Sequence, residues 1–113
     1  MSISDTLDAL RQSRTSVETA TYLDLSSGTV LYTSTAVRQP QERLDALCST
    51  AMTLFGEADD GAADAISFGP TEALVFCRSE QATSEVVGLV CSPDVDVPDI
   101  LQAARRALAT AEG

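Results

Sequence analysis

The sequence predicts a mixed α/β domain of the α+β type, with element order α-β-β-α-β-β-β-α. Its five-stranded, mostly antiparallel sheet is expected to carry helices on both faces. Two observations carry this reading. The apolar runs 73–77 (Ala-Leu-Val-Phe-Cys) and 86–91 (Val-Val-Gly-Leu-Val-Cys) are short, rich in bulky or β-branched residues and bounded by turn-type residues, as strands are. Neither alternates with polar residues, so both faces must be covered. The hydrophobic period also switches from helical to two and back along the chain, which separates strands from helices.

The first helix is expected to start at Ser2 or Ser4, a capping residue, with Asp5 in its first turn, and to end near Ser13. Ile3, Leu7 and Leu10 form its apolar stripe, and Arg11 and Arg14 lie near its C-terminus, where cations suit the dipole. From Val17 to Ser34 the period is two. Thr21, Leu23 and Leu25 share one face of a strand, Tyr22 and Asp24 the other, and Thr29–Thr33 forms the second strand. Gly28 closes the turn Ser26-Ser27-Gly28 with a left-handed backbone.

Residues 36–40 connect to a helix predicted from Pro40 to Phe55. Leu44, Leu47, Cys48, Ala51, Leu54 and Phe55 follow the helical rhythm, with Met52 beside the stripe and Gly56 as the expected C-terminal cap. Residues 57–64 are acidic and rich in Gly and Ala, as in a solvated loop. Ala65-Ile66-Ser67-Phe68 is a short third strand, and Gly69–Glu72 is a turn in which Pro70 pre-sets φ. The two apolar strands follow, joined by 79–84. Asp96 caps a last helix that carries Val97, Ile100, Leu101, Ala104 and Leu108 on one face to about Thr110.

At 113 residues the chain is expected to form one domain, residues 1–113. Aromatics make up only 4% against 44% hydrophobic residues, so Leu, Val and Ala must fill the core. Seventeen acidic residues oppose seven basic ones, all Arg, for a net charge of −10. That balance repels phosphate backbones and anionic lipid heads, which argues against a nucleic-acid partner. No N-terminal segment reads as a signal peptide and no apolar run approaches the ~18 residues of a membrane helix, so no membrane insertion and a cytoplasmic location are expected.

The chain contains no His, the commonest general base and metal ligand. Cys48, Cys77 and Cys91 lie in apolar segments without metal-type spacing and read as buried reduced thiols. As a nucleophile, Cys77 would need an activating base that the sequence does not offer. Asp94, Asp96 and Asp99 invite a calcium reading, but Pro98 breaks the loop and no Glu closes it, so capping accounts for them better. No Gly-rich phosphate loop is present. No cofactor, metal or catalytic constellation is therefore expected, and the chain reads as non-enzymatic.

Three features resemble the Roadblock/dynein light-chain family, including its bacterial MglB-like members. They are the hairpin Tyr22–Ser34 with Asp24 and Gly28, the Ala- and Leu-bearing helix from Leu44 to Phe55, and the block from Ile66 through 86–90 to the helix ending Ala103–Leu108. The likeness spans nearly the whole chain, although 14–17 (Arg-Thr-Ser-Val) lacks the glycine the family often carries at that turn. The resemblance implies a profilin-like or Roadblock-like fold and a homodimer made by antiparallel pairing of third strands, here Ala65, Ile66, Ser67 and Phe68. It also implies binding to a small Ras-like GTPase or a larger protein complex through the middle helix, at Arg43, Ala46, Thr50 and Met52.

Each of these residues has a plainer reading. Met52 also fits peripheral core, Arg43 fits a solvated helix residue as well as an arginine finger, and Phe68 fits ordinary core as well as an interface. Two alternatives stand beside the GTPase regulator. One is a light-chain adaptor without effect on nucleotide turnover. The other is a profilin- or PAS-like sensor holding a small ligand, with Ala73 and Gly88 leaving room for it.

Overall fold

The structure, a computed structural model, describes residues 2–56, 63–79 and 84–112, with residues 111 and 112 described by backbone alone. Its elements are α1 (Ile3–Ser13), β1 (Val17–Asp24), β2 (Thr29–Thr35), α2 (Gln41–Gly56), β3 (Asp64–Phe68), β4 (Ala73–Arg78), β5 (Glu85–Cys91) and α3 (Val97–Glu112). The strands form one sheet in the order β2-β1-β5-β4-β3, with every neighbouring pair antiparallel. The expected element order and fold class are therefore present, with β5 at the centre and β2 and β3 at the edges. The acidic loop expected at 57–64, including Asp59 and Asp60, and the link at 79–84 fall largely outside the described residues.

Each sheet face has its own apolar layer. Leu7 and Leu10 of α1 and Ile100, Ala104 and Leu108 of α3 pack on Ala20, Tyr22, Val75, Val87 and Leu89. Leu47, Cys48, Ala51 and Phe55 of α2 pack on Leu23, Phe76, Val86 and Val90 on the opposite face. This two-sided cover is why the runs in β4 and β5 are apolar throughout. The connection from β2 through α2 to β3 carries the chain from one edge of the sheet to the other, so α2 crosses the whole face it covers.

The caps follow local chemistry. Ser2 accepts a hydrogen bond from the Asp5 amide at 3.2 Å, and Asp96 accepts one from the Asp99 amide at 3.3 Å. Gly28 has φ +66°, as the tight hairpin requires. Gly56 behaves differently from expectation: it is the last residue of α2 and its φ is not positive, so it continues the helix instead of forming a left-handed cap. β2 extends two residues past Thr33, because Thr35 still pairs with Thr19.

Two buried threonines in β1 are satisfied within the sheet. Thr21 donates to the Gly88 carbonyl at 2.7 Å, and the hydroxyls of Thr19 and Thr35 are 3.0 Å apart. A Cβ at Gly88 would lie 2.9 Å from Thr21 Oγ1 and 3.0 Å from the Phe76 ring, so the space that the small-ligand reading left at Gly88 is filled.

Helix α1 is tied to edge strand β2 by polar contacts. The Tyr32 hydroxyl donates to Asp8 at 2.9 Å, and Arg11 Nε donates to the Ser34 hydroxyl at 2.9 Å. Hydrogen bonds from Ser34 and Tyr32 hold the Asp8 carboxyl below its ordinary pKa of 3.8. A carboxylate with a depressed folded pKa stabilises the fold above its unfolded pKa, and that contribution is lost as pH falls through the folded value. Asp8→Asn should therefore flatten part of the acid-side loss of stability, read as urea midpoints between about pH 5 and pH 2. An unchanged acid limb would remove Asp8 from this role.

Candidate functional site

The β3–β4 ladder shows which backbone groups β3 leaves open. Its register is unbroken, from Asp64 opposite Cys77 to Phe68 opposite Ala73. Gly69 N–H donates to Glu72 C=O at 2.9 Å and Arg78 N–H to Ala63 C=O at 2.7 Å. Hydrogen-bonded pairs alternate in an antiparallel ladder, so residues 63, 65, 67 and 69 bond inward. The N–H and C=O groups of Asp64, Ile66 and Phe68 then point to the free edge. Ile66 leans on the α1–α3 layer and Ala65 on the α2 layer, whereas Phe68 is 62% exposed.

The opposite edge is less open to pairing. Between Tyr22 and Leu23 the β1–β2 register shifts, leaving Leu31 without a Cα partner on β1. A bulge of this kind twists an edge strand away from a second chain. Among the described residues, β3 is thus the regular free edge of this sheet.

An arginine from each face reaches β3. Arg105 of α3 binds Asp64 at its start, and Arg43 of α2 binds Glu72 in the turn just past its end. The second Asp64 oxygen, Oδ1, is buried without a hydrogen-bond partner. These pairings span 41 and 29 residues, and nothing local in the sequence points to them. The Arg43 guanidinium, considered above as a finger for phosphate, is engaged by its own chain.

The middle helix divides the four residues assigned to partner binding. At about 100° per residue, Arg43, Ala46 and Thr50 fall within one narrow arc, while Met52 lies roughly 180° from Arg43. Arg43 faces Glu72 on the β3 side; Met52 Sδ is 4.0 Å from where a Gly28 Cβ would sit, on the β1–β2 side. The structure brings Arg43, Ala46 and Thr50 together and places Met52, 46% exposed, on the other flank.

A scan against protein-family models finds no match for this sequence, and neither does a search of curated proteins. Solved structures do match. A Roadblock/LC7 domain from Streptomyces avermitilis superposes with a TM-score of 0.80, 9% sequence identity and coverage of 99% of this chain and 96% of that one. The fold is the Roadblock/LC7 fold. MglB from Myxococcus xanthus gives 0.78 at 9% identity, over 97% and 92% of the two chains. An MglB structure with a tetrameric arrangement gives 0.75 at 16% identity, over 97% and 85%. At these identities the likeness is one of fold, and it agrees with the resemblance read from the hairpin and helices.

On this Roadblock fold, Leu25, Ser26, Met52, Phe55, Gly56 and Arg78 line an open groove of about 330 Å³ at the C-terminal end of α2. The Arg78 guanidinium lies 4.7 Å from the Phe55 ring centroid, a cation–π distance. The only sequence signal at Arg78 is a charge placed directly after an apolar strand, which was too weak to single it out. All three cysteines are buried thiols. Burial pushes Cys91 up to about 12; burial, and then the nearby Asp45 and Asp24, raise Cys48. Such shifts disfavour the thiolate that nucleophilic chemistry requires. The three aspartates of the calcium reading have protein partners: Ser92 for Asp94, the Asp99 amide for Asp96 and Arg14 for Asp99. Among the described residues, no helix is long and apolar enough to cross a membrane.

Proposed function

We propose that this chain is a non-enzymatic, cytoplasmic Roadblock-type regulator or scaffold, one domain over residues 1–113, which dimerises and binds a small Ras-like GTPase or a related protein complex. The observation that carries the reading is the regular β3 edge, unpaired among the described residues, with Phe68 62% exposed, on a Roadblock/LC7 fold. Two copies pair through Ala65, Ile66, Ser67 and Phe68, so that one sheet runs through both. Arg43, Ala46 and Thr50 then lie on the flank of α2 nearest the joint, and that flank from both copies forms the partner surface. Met52 belongs to this surface only for a partner broad enough to span the outer face of α2.

Light scattering on eluting protein should give twice the monomer mass of 11.9 kDa at micromolar concentrations. A monomer throughout would refute the dimer. Immobilised protein should retain a Ras-like GTPase from the same cell, and added protein should change that enzyme's hydrolysis or exchange rate. Retention without a rate change would favour the light-chain adaptor.

A further inference from the structure

We infer that Arg43 and Arg105 neutralise the β3 edge electrostatically and so allow two copies of a strongly acidic chain to meet there. This rests on the β3 dimer proposed above and specifies what makes it possible. With 17 acidic residues against 7 arginines, two copies repel each other across most of their surfaces. Arginine is therefore scarce, and its placement is informative. Three arginine–carboxylate ion pairs are present among the described residues, and two of them flank β3. They come from opposite faces of the sheet, from α2 and from α3, and each covers the acidic side chain at one end of the strand.

Antiparallel pairing about a two-fold axis sets the start of one β3 beside the end of the other. The Asp64 end of one copy therefore lies beside the Phe68–Glu72 end of its mate, within one to two strand spacings, roughly 5–10 Å. That spacing separates the backbones only: Asp64 lies with Arg105 on the α1–α3 face and Glu72 with Arg43 on the α2 face, so the two carboxylates do not meet across the joint. Left bare, each would instead add to the repulsion from the mate's net charge of −10, which at 0.01 M salt is screened only over about 30 Å. Arg43 and Arg105 remove both contributions. Part-exposed ion pairs contribute little to folding, which leaves neutrality of the edge as their larger effect.

The test is the dimer dissociation constant by sedimentation, at low and at high salt. Arg43→Gln or Arg105→Gln should weaken the dimer about tenfold in low salt, and the difference from wild type should close near 0.5 M, where the screening length is only a few ångströms. Glu72→Gln alone should weaken nothing, and Arg43→Gln combined with Glu72→Gln should return to the wild-type value, because neutrality is restored without the bridge. A merely structural tie predicts the opposite: Glu72→Gln and the double variant would be as weak as Arg43→Gln. That result, or single arginine variants equal to wild type in low salt, overturns the inference and leaves the dimer standing. A wild-type chain that never dimerises overturns the dimer and this inference with it.

Discussion

Truncating Phe76 to alanine should destabilise the fold by about 3–5 kcal/mol, against a total of roughly 5–15 kcal/mol for a domain of this kind. Phe76 is fully buried in the layer under α2, the layer that also holds Leu23, Leu47, Phe55, Val86 and Val90. Its ring lies over Gly88, the residue opposite it on the central strand β5. With aromatics at 4% of the chain, few side chains are large enough to refill that volume. Gly88→Ala should cost about 1–3 kcal/mol by overpacking, since the added methyl meets the ring at 3.0 Å and Thr21 Oγ1 at 2.9 Å. The two changes should couple: once the ring is gone, the methyl keeps only the Thr21 contact and can shift into the space the ring leaves, so the double variant loses less than the sum. Urea unfolding followed by circular dichroism is suited to a chain without Trp. Strict additivity would show that ring and glycine do not share the space assigned to them.

This pairing also marks what the sequence could and could not disclose. The β1–β2 hairpin was legible because its causes are local: alternation in Tyr22–Leu25, a turn glycine, and a second strand directly after it. The two-sided cover of β4 and β5 was legible because an unbroken apolar strand is stable only with both of its faces away from water. Strand order was not. β1 lies against β5 by pairing Thr21 with Gly88, and nothing near Thr21 announces that its hydroxyl will be buried and will bond a carbonyl 67 residues away. Threonine in a strand reads equally well as solvent-facing.

The candidate site divides along the same line. Strand 65–68 is legible as a short run between an acidic loop and a turn, and its place at a pairing edge comes only from the family resemblance. Its outward-facing groups follow only from the ladder, and its arginine partners come from two helices on opposite faces. On α2, the spacing 43, 46, 50 is helical and gathers its residues on one flank. The step to Met52 breaks that spacing, and the structure puts Met52 on the other side.

Phe68→Pro should abolish self-association, by at least about 100-fold in the dimer dissociation constant, with a small change in unfolding midpoint. Three features of the edge make the effect selective. Phe68 N–H points away from β4, so proline removes a donor that the monomer's own ladder does not use. The side chain is 62% exposed in the monomer, so its loss opens no core cavity. The residue before it, Ser67, is already extended, which is the conformation a following proline requires. Phe68→Thr separates the two contributions, since it keeps the donor and a strand-forming backbone but gives up the apolar ring; its dimer should be weaker than wild type and stronger than the proline variant. Ser67→Pro is the contrasting case: it removes an inward donor from the β3–β4 ladder and should lower the unfolding midpoint of the monomer itself. If Phe68→Pro dimerises as well as wild type, the joint lies elsewhere on the molecule, and the free edge of β3 is capped by something other than a second copy.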